Sequence, residues 1–161
     1  MSPIGPFGRR IKRARHGGVE LRLPDEERQF IKSLVPQVRE VIEEPDPDDP
    51  VHARLYPDAY PDDDQRQAEY RLLAHVELVD SHLRALAELE SSASADRLSE
   101  DQADAWMRAI NEVRLVLGTR LEITEEGDDL PDSWDDPRMP AFAAYRYLSE
   151  LQWELIEALS G

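Results

Sequence analysis

"SEDQADAWMRAINEVRLVLGTRLEIT" (residues 99–124) decides the fold class. Ser99 followed three residues later by Gln102 spells a capping box, in which each side chain satisfies a backbone N–H left orphaned at a helix start. Behind it Trp106, Ile110, Val113, Leu117 and Leu121 recur at helical spacing and give the helix one apolar stripe. Counting about 100° per residue from Trp106, Arg114 falls at roughly 80°, on the stripe's edge, with Gly118 and Asn111 at roughly 120° and 140°. Arg114 and Gly118 are one turn apart. The missing side chain at Gly118 lets a second helix approach while Arg114 pairs with a carboxylate or a helix end.

That second helix is predicted at about 140–159, where Ala144, Leu148, Leu151, Leu155 and Leu159 form the buried stripe. Gln152 sits near its core face and completes a polar cluster of Asn111, Arg114, Gly118 and Gln152. Leaving such groups unpaired costs about 1–3 kcal/mol each, so they form a satisfied network. The network either fixes helix register or is a small recognition site for a partner protein. Trp153 and Phe142, with Met107 and Leu115 on the preceding helix, lie off the main stripes. Such a second face is either the rest of a thick core or a contact surface for another subunit.

Upstream, a helix from about Asp63 to Ser91 carries Leu72, Val76, Val79, Leu83 and Leu86 at alternating spacings of four and three, the seam of one helix packing along another. Pro24 followed by Asp25, Glu26 and Glu27 starts a further helix, continued by Phe30, Ile31, Leu34, Val38, Val41 and Ile42 and kinked at Pro36. Residues 44–64, with five prolines and eight acids, are a surface crossing with a short helical turn around Val51–Leu55. Residues 125–140 form an acidic, proline-bearing loop. In residues 7–23 a three-residue turn at His16-Gly17-Gly18 pairs Arg15 with Val19, Arg13 with Leu21 and Ile11 with Leu23. That register puts Ile11, Val19, Leu21 and Leu23 on one face and Arg10 and Lys12 on the other. The expected architecture is mainly α: a single domain over 1–161, with a β-hairpin at 7–23 and a body at 24–161 that bundles about four long helices.

A domain of about 150 residues can bury roughly 70% of its unfolded surface, enough for a core without staples. There is no cysteine among the 161 residues, which excludes thiolate metal sites, disulfides and thiol-based sensing within them. Apolar runs are too short for a spanning helix, and no apolar region follows the N-terminal basic residues, so the expected location is the cytoplasm. The formal charge is −16, yet Arg9, Arg10, Lys12, Arg13 and Arg15 give residues 1–19 a charge of +5 and leave −21 on the rest. These five cations either track a DNA backbone or guard an edge strand and lean on the acidic body; direct DNA binding is disfavoured, because most of the surface repels nucleic acid.

No catalytic, metal or cofactor site is expected. His75 and His82, two turns apart, stand about 10.5 Å from each other, too far for one ion without other ligands. The carboxylate runs at Asp62–Asp64 and Asp135–Asp136 adjoin proline in predicted loops, where capping and solvation explain them. "EEGDDLPDSWDD" lacks the spacing of a calcium loop, and neither a nucleophile elbow nor a phosphate loop is present.

Two stretches, "DQADAWMRAINEVRLVLGTRLEI" and "YRYLSELQWELIEAL", resemble the C-terminal signatures of an actinobacterial domain-of-unknown-function family that includes the AosR-like oxidative-stress transcriptional regulators. The matching positions are Ala105, Trp106, Asn111, Arg114, Leu115, Leu117, Gly118 and Leu121, then Tyr145, Leu148, Leu151, Gln152 and Leu159. A looser match runs through "LRLPDEE" and "ARLYPDAY". The resemblance implies a cytoplasmic, non-enzymatic protein that regulates transcription under stress through protein contacts. Its partner would be the transcription machinery, or, in an adaptor or dimerising role, the Clp protease system. The regulator branch senses oxidants through cysteine, and here this sequence departs from it.

Overall fold

The computed structural model describes residues 9–44, 46, 48–56, 59–121 and 134–160. In chain order the elements are β1 (Ile11–Arg13), β2 (Val19–Leu21), α1 (Asp25–Glu43), α2 (Pro50–Leu55), α3 (Asp64–Ser92), β3 (Arg97–Leu98), α4 (Glu100–Arg120) and α5 (Met139–Ser160). Among the described residues, four long helices and one short helix carry a small antiparallel sheet ordered β1-β2-β3, so the chain is mainly α. The predicted acidic loop falls largely outside the described residues, as do positions 7 and 8 of the hairpin.

Helix starts follow the local chemistry. Asp49 accepts from Val51 N–H with Pro50 at the first helical position, and Asp63 accepts from Arg66 N–H. At α4 both arms of the capping box form: Gln102 N–H donates to Ser99 Oγ at 3.1 Å and Ser99 N–H to Gln102 Oε1 at 2.9 Å. Helix α1 runs unbroken through Pro36.

The core centres on α4, which packs against α3 on one side and α5 on the other, with α2 also against it. Trp106, Ile110 and Val113 of α4 meet Leu86 and Leu89 of α3 and Leu148, Leu151 and Leu155 of α5 in one buried cluster. The Trp106 indole N–H, which needs an acceptor when buried, donates to Ser92 Oγ at 2.7 Å. Phe142 is buried, and Met107 and Leu115 pack against the cluster, so the off-stripe residues complete the core. Trp153 stays partly exposed, with Arg9 lying 5.7 Å over its ring.

Three expectations are corrected. The hairpin pairs Ile11 with Leu21, Lys12 with Glu20 and Arg13 with Val19, two residues away from the expected register. A two-residue slip leaves every side chain on its original face, so Ile11, Val19, Leu21 and Leu23 are still buried together and hydrophobic pattern cannot detect it. The wider turn, closed by Ala14 N–H donating to Gly18 O, places Gly18 at φ +72°, where an added Cβ would lie 2.0 Å from Leu98 O. Secondly, β3 adds a third strand by pairing Val19 with Leu98 and Glu20 with Arg97. Only two residues long, it carries no periodic signal.

The third correction concerns the α3 seam. Leu86 is buried and Leu83 and Val79 pack against the core, but Leu72 and Val76 are 80% and 70% exposed. Helix α1 runs antiparallel along α3, as contacts of Lys32 with Ser94 and Arg39 with Glu90 show, and it ends at Glu43 beside Val79 and Leu83. The N-terminal part of the seam lies beyond its reach.

Candidate functional site

The polar cluster expected between the last two helices forms, with one member replaced by others. Arg114 on α4 reaches across to α5: Nη1 donates to Gln152 Oε1 at 2.6 Å, Nε to Ser149 Oγ at 3.0 Å, and Nη2 to Tyr145 Oη at 3.3 Å. Its guanidinium also stands 5.2 Å over the Tyr145 ring. The partners are an amide, two hydroxyls and an aromatic face, in place of the expected carboxylate or helix end. Ser149 is itself oriented by donating to Tyr145 O at 2.9 Å.

Gly118 is the recess for this arrangement. A Cβ there would stand 3.3 Å from Tyr145 Cε2, so the bare glycine admits the ring that Arg114 stacks on. Asn111 is exposed and stands outside the set that bonds Arg114. Tyr145 and Ser149 are additions; their signal was spacing, since positions 145, 149 and 152 lie on one face of a helix.

The basic head divides into inward and outward residues. Arg10, expected on the outer face, turns inward before β1 begins: its Nε donates to Glu27 at 2.7 Å, its backbone N–H to Glu154 Oε1 at 2.8 Å and its Nη1 to Glu154 Oε2 at 3.4 Å. Glu154 is 1% exposed and needs this cation. Tyr147 closes the group, its ring under Arg10 and its phenol pushed above the ordinary range by burial and by neighbouring Glu27. Lys12, Arg13 and Arg15 are exposed. Glu154 was legible as an acid placed among Leu151, Leu155 and Ala158 on an apolar face.

Two further clusters lie beyond the sequence reading, which names only His75 and His82 of the second. Arg28 of α1 is buried and donates to four carbonyls, those of Leu23, Ala93, Ala95 and Leu21, and to Asp96. It ties the α3–β3 connection to β2 and α1. The other cluster lies among α2, α3 and α4, where Tyr56 packs against the rings of His52, His75 and His82 at centroid distances of 5.1, 4.8 and 5.6 Å. His82 Nδ1 meets Glu112 Oε1 at 2.5 Å, and this bond raises the imidazole pKa against the opposing effect of burial. Burial pushes Glu112 up in turn, with the His82 bond resisting. The histidines pack tilted or edge-on around an aromatic ring instead of converging, and among the described residues no group of three or more His, Asp or Glu is placed to hold a metal ion.

A cavity of about 410 Å³ opens between α1, α2 and α4, floored by Val38, Val41 and Val113 and rimmed by Glu40, Glu44 and Arg120. No helix of the described residues is long and apolar enough to cross a membrane. Among the described residues, the polar side chains brought together thus join helices and strands to one another.

The chain is 33% identical over 133 residues to proteins named oxidative stress regulator AosR from Mycobacterium tuberculosis and Mycobacterium bovis, an alignment covering 71% of this chain and 60% of theirs. The AosR relative of Mycobacterium leprae is 32% identical over 130 residues, covering 70% of this chain and 59% of the relative. The matched region thus spans about 60% of the length of these curated relatives. No solved structure matches the chain significantly. The domain of unknown function DUF2017 matches residues 8–159, and the chain belongs to that family.

Proposed function

We propose that this chain is a non-enzymatic regulatory protein that acts in the response to oxidative stress through contacts with other proteins. The observation that carries the reading is the 33% identity over 133 residues to proteins named oxidative stress regulators. The internal chemistry supports it: Arg114, Arg10 and Arg28 are engaged in holding helices and strands together, which suits a rigid binding module better than a catalyst. With no cysteine in these 161 residues, an oxidant signal reaches them from a partner and not through a thiol of their own. The net charge of −16 favours a basic protein surface over bare DNA as the thing contacted.

Deletion from the native host, with transcript profiling before and after peroxide, tests the reading. A peroxide response altered by deletion and restored by the wild-type chain is the expected result; an unchanged transcript profile overturns it. Affinity capture from the same lysate, read by mass spectrometry, separates the partner classes. Transcription subunits are expected, and recovery of Clp adaptor or protease components in their place would move the chain to proteolysis.

A further inference from the structure

The α3 seam supplies a surface that the fold leaves unused. Leu72, Leu73 and Val76 are 80%, 79% and 70% exposed on one helix, although Leu72 and Val76 continue the spacing that packs Val79, Leu83 and Leu86 against the rest of the chain. A seam at heptad spacing is the pattern by which a helix receives another helix along its length, and α1 occupies only the part next to β3. Where α1 ends, Ile42, Val76, Val79 and Leu83 line an open groove of about 350 Å³. Among the described residues, the charged side chains lining it are Glu43 and Asp80, with His75 beside them and no lysine or arginine. Glu69, Arg71 and Glu77 are exposed on the same stretch of α3, Arg71 having a partner of its own, while Arg66 is turned toward Asp63 and the Tyr60 ring and Arg84 is paired with Asp80.

We infer that this groove and the bare α3 seam receive a basic amphipathic helix of another protein, its apolar side chains set on Leu72, Leu73 and Val76 and its lysines or arginines facing Glu43, Glu69 and Glu77. Charge selects this occupant. A second copy would bring the same acidic rim against itself, on a chain carrying −16, whereas a basic helix gains on approach and in register. Apolar anchors at spacing i, i+3 and i+4 match the ridge they meet. The inference rests on the reading of this chain as a contact-making regulator for the partner's biological role, while the surface itself is tested on purified protein.

The test uses two synthetic helical peptides with identical leucine seams, one flanked by lysine and one by glutamate, titrated by fluorescence anisotropy against the intact chain. The lysine peptide should bind and weaken with salt; the glutamate peptide should not. Leu72→Ser with Val76→Ser, both at exposed positions, should weaken lysine-peptide binding by about tenfold or more with the fold unchanged by circular dichroism. Glu43→Gln with Glu69→Gln and Glu77→Gln should weaken it less and flatten its salt dependence. Binding unaffected by the serine pair, or equal binding of both peptides, overturns the inference. So does sedimentation showing a dimer that the serine pair dissociates, or a photo-crosslinker at position 73 reacting only within its own chain. If the peptide arms succeed while deletion leaves the transcript profile unchanged, the docking surface stands and the regulatory reading falls.

Discussion

Replacing Arg28 by methionine keeps much of the buried aliphatic stem and removes the guanidinium. Five contacts are lost, but they are unequal. The Asp96 carboxylate lies at 3.4 Å with its side chain 92% exposed, and a pair with so wet a partner is worth little. The carbonyls of Leu23, Ala93 and Leu21, accepting at 2.8, 3.0 and 3.3 Å, are reached within the buried interior. A stranded buried acceptor costs about 1–3 kcal/mol, and because neighbouring donors and local relaxation recover part of it, the expected loss is about 3–5 kcal/mol. For a domain of this size that lowers the unfolding midpoint by about 6–20 °C. Arg28→Lys should fall between methionine and wild type, since one ammonium cannot span acceptors that a planar fork reaches together. Asp96→Asn should stay within about 0.5 kcal/mol. Thermal and urea unfolding followed by circular dichroism measure all three. An Arg28→Met variant unfolding within about 2 °C of wild type, or an Asp96→Asn loss as large as that of Arg28→Met, would refute the assignment of stability to the carbonyls.

Gly118→Val should cost about 1–3 kcal/mol, because its branches add to a Cβ already 3.3 Å from Tyr145, whereas Gly118→Ala should stay within about 1 kcal/mol as better helix propensity offsets the tight contact; denaturant melts read both. Arg10→Gln should destabilise by about 2–4 kcal/mol by stranding buried Glu154, while Lys12, Arg13 and Arg15 changed together to glutamine should stay near wild type in the same melts. His82, whose folded pKa is raised above 6.5, contributes stability that is fully present below pH 6.5 and is lost as pH rises through the raised value. Unfolding free energies at about pH 6 and about pH 9 should therefore decline for wild type, and the decline should be smaller in His82→Gln; equal slopes in the two proteins would remove His82 from the account.

Much of the helical frame was legible because helix formation is local. The capping box at Ser99 and Gln102, the acids after Pro24 and the stripe from Trp106 act within a turn or two of themselves, and the helices form where those signals stand. The Arg114, Gly118 and Gln152 grouping was legible for a related reason: a polar residue and a glycine on a core-facing stripe can be reconciled only by a neighbouring helix. Its partners Ser149 and Tyr145 needed the relative rotation of α4 and α5, which neither helix encodes alone. Asn111, close to Gly118 on the helical wheel, is exposed and takes no part in the bonds that hold Arg114.

The tertiary structure decided what depends on chain segments far apart in sequence. Arg10 meeting Glu154 spans 144 residues and Arg28 meeting Ala93 spans 65, so no window of sequence contains both ends. The hairpin register was open because a two-residue slip conserves every face; the folded chain takes the register whose turn is closed by Ala14 N–H donating to Gly18 O. The same division explains α3. Its composition determines an uninterrupted helix with a continuous apolar seam; how much of that seam is buried depends on where α1 stops, and α1 stops at Glu43.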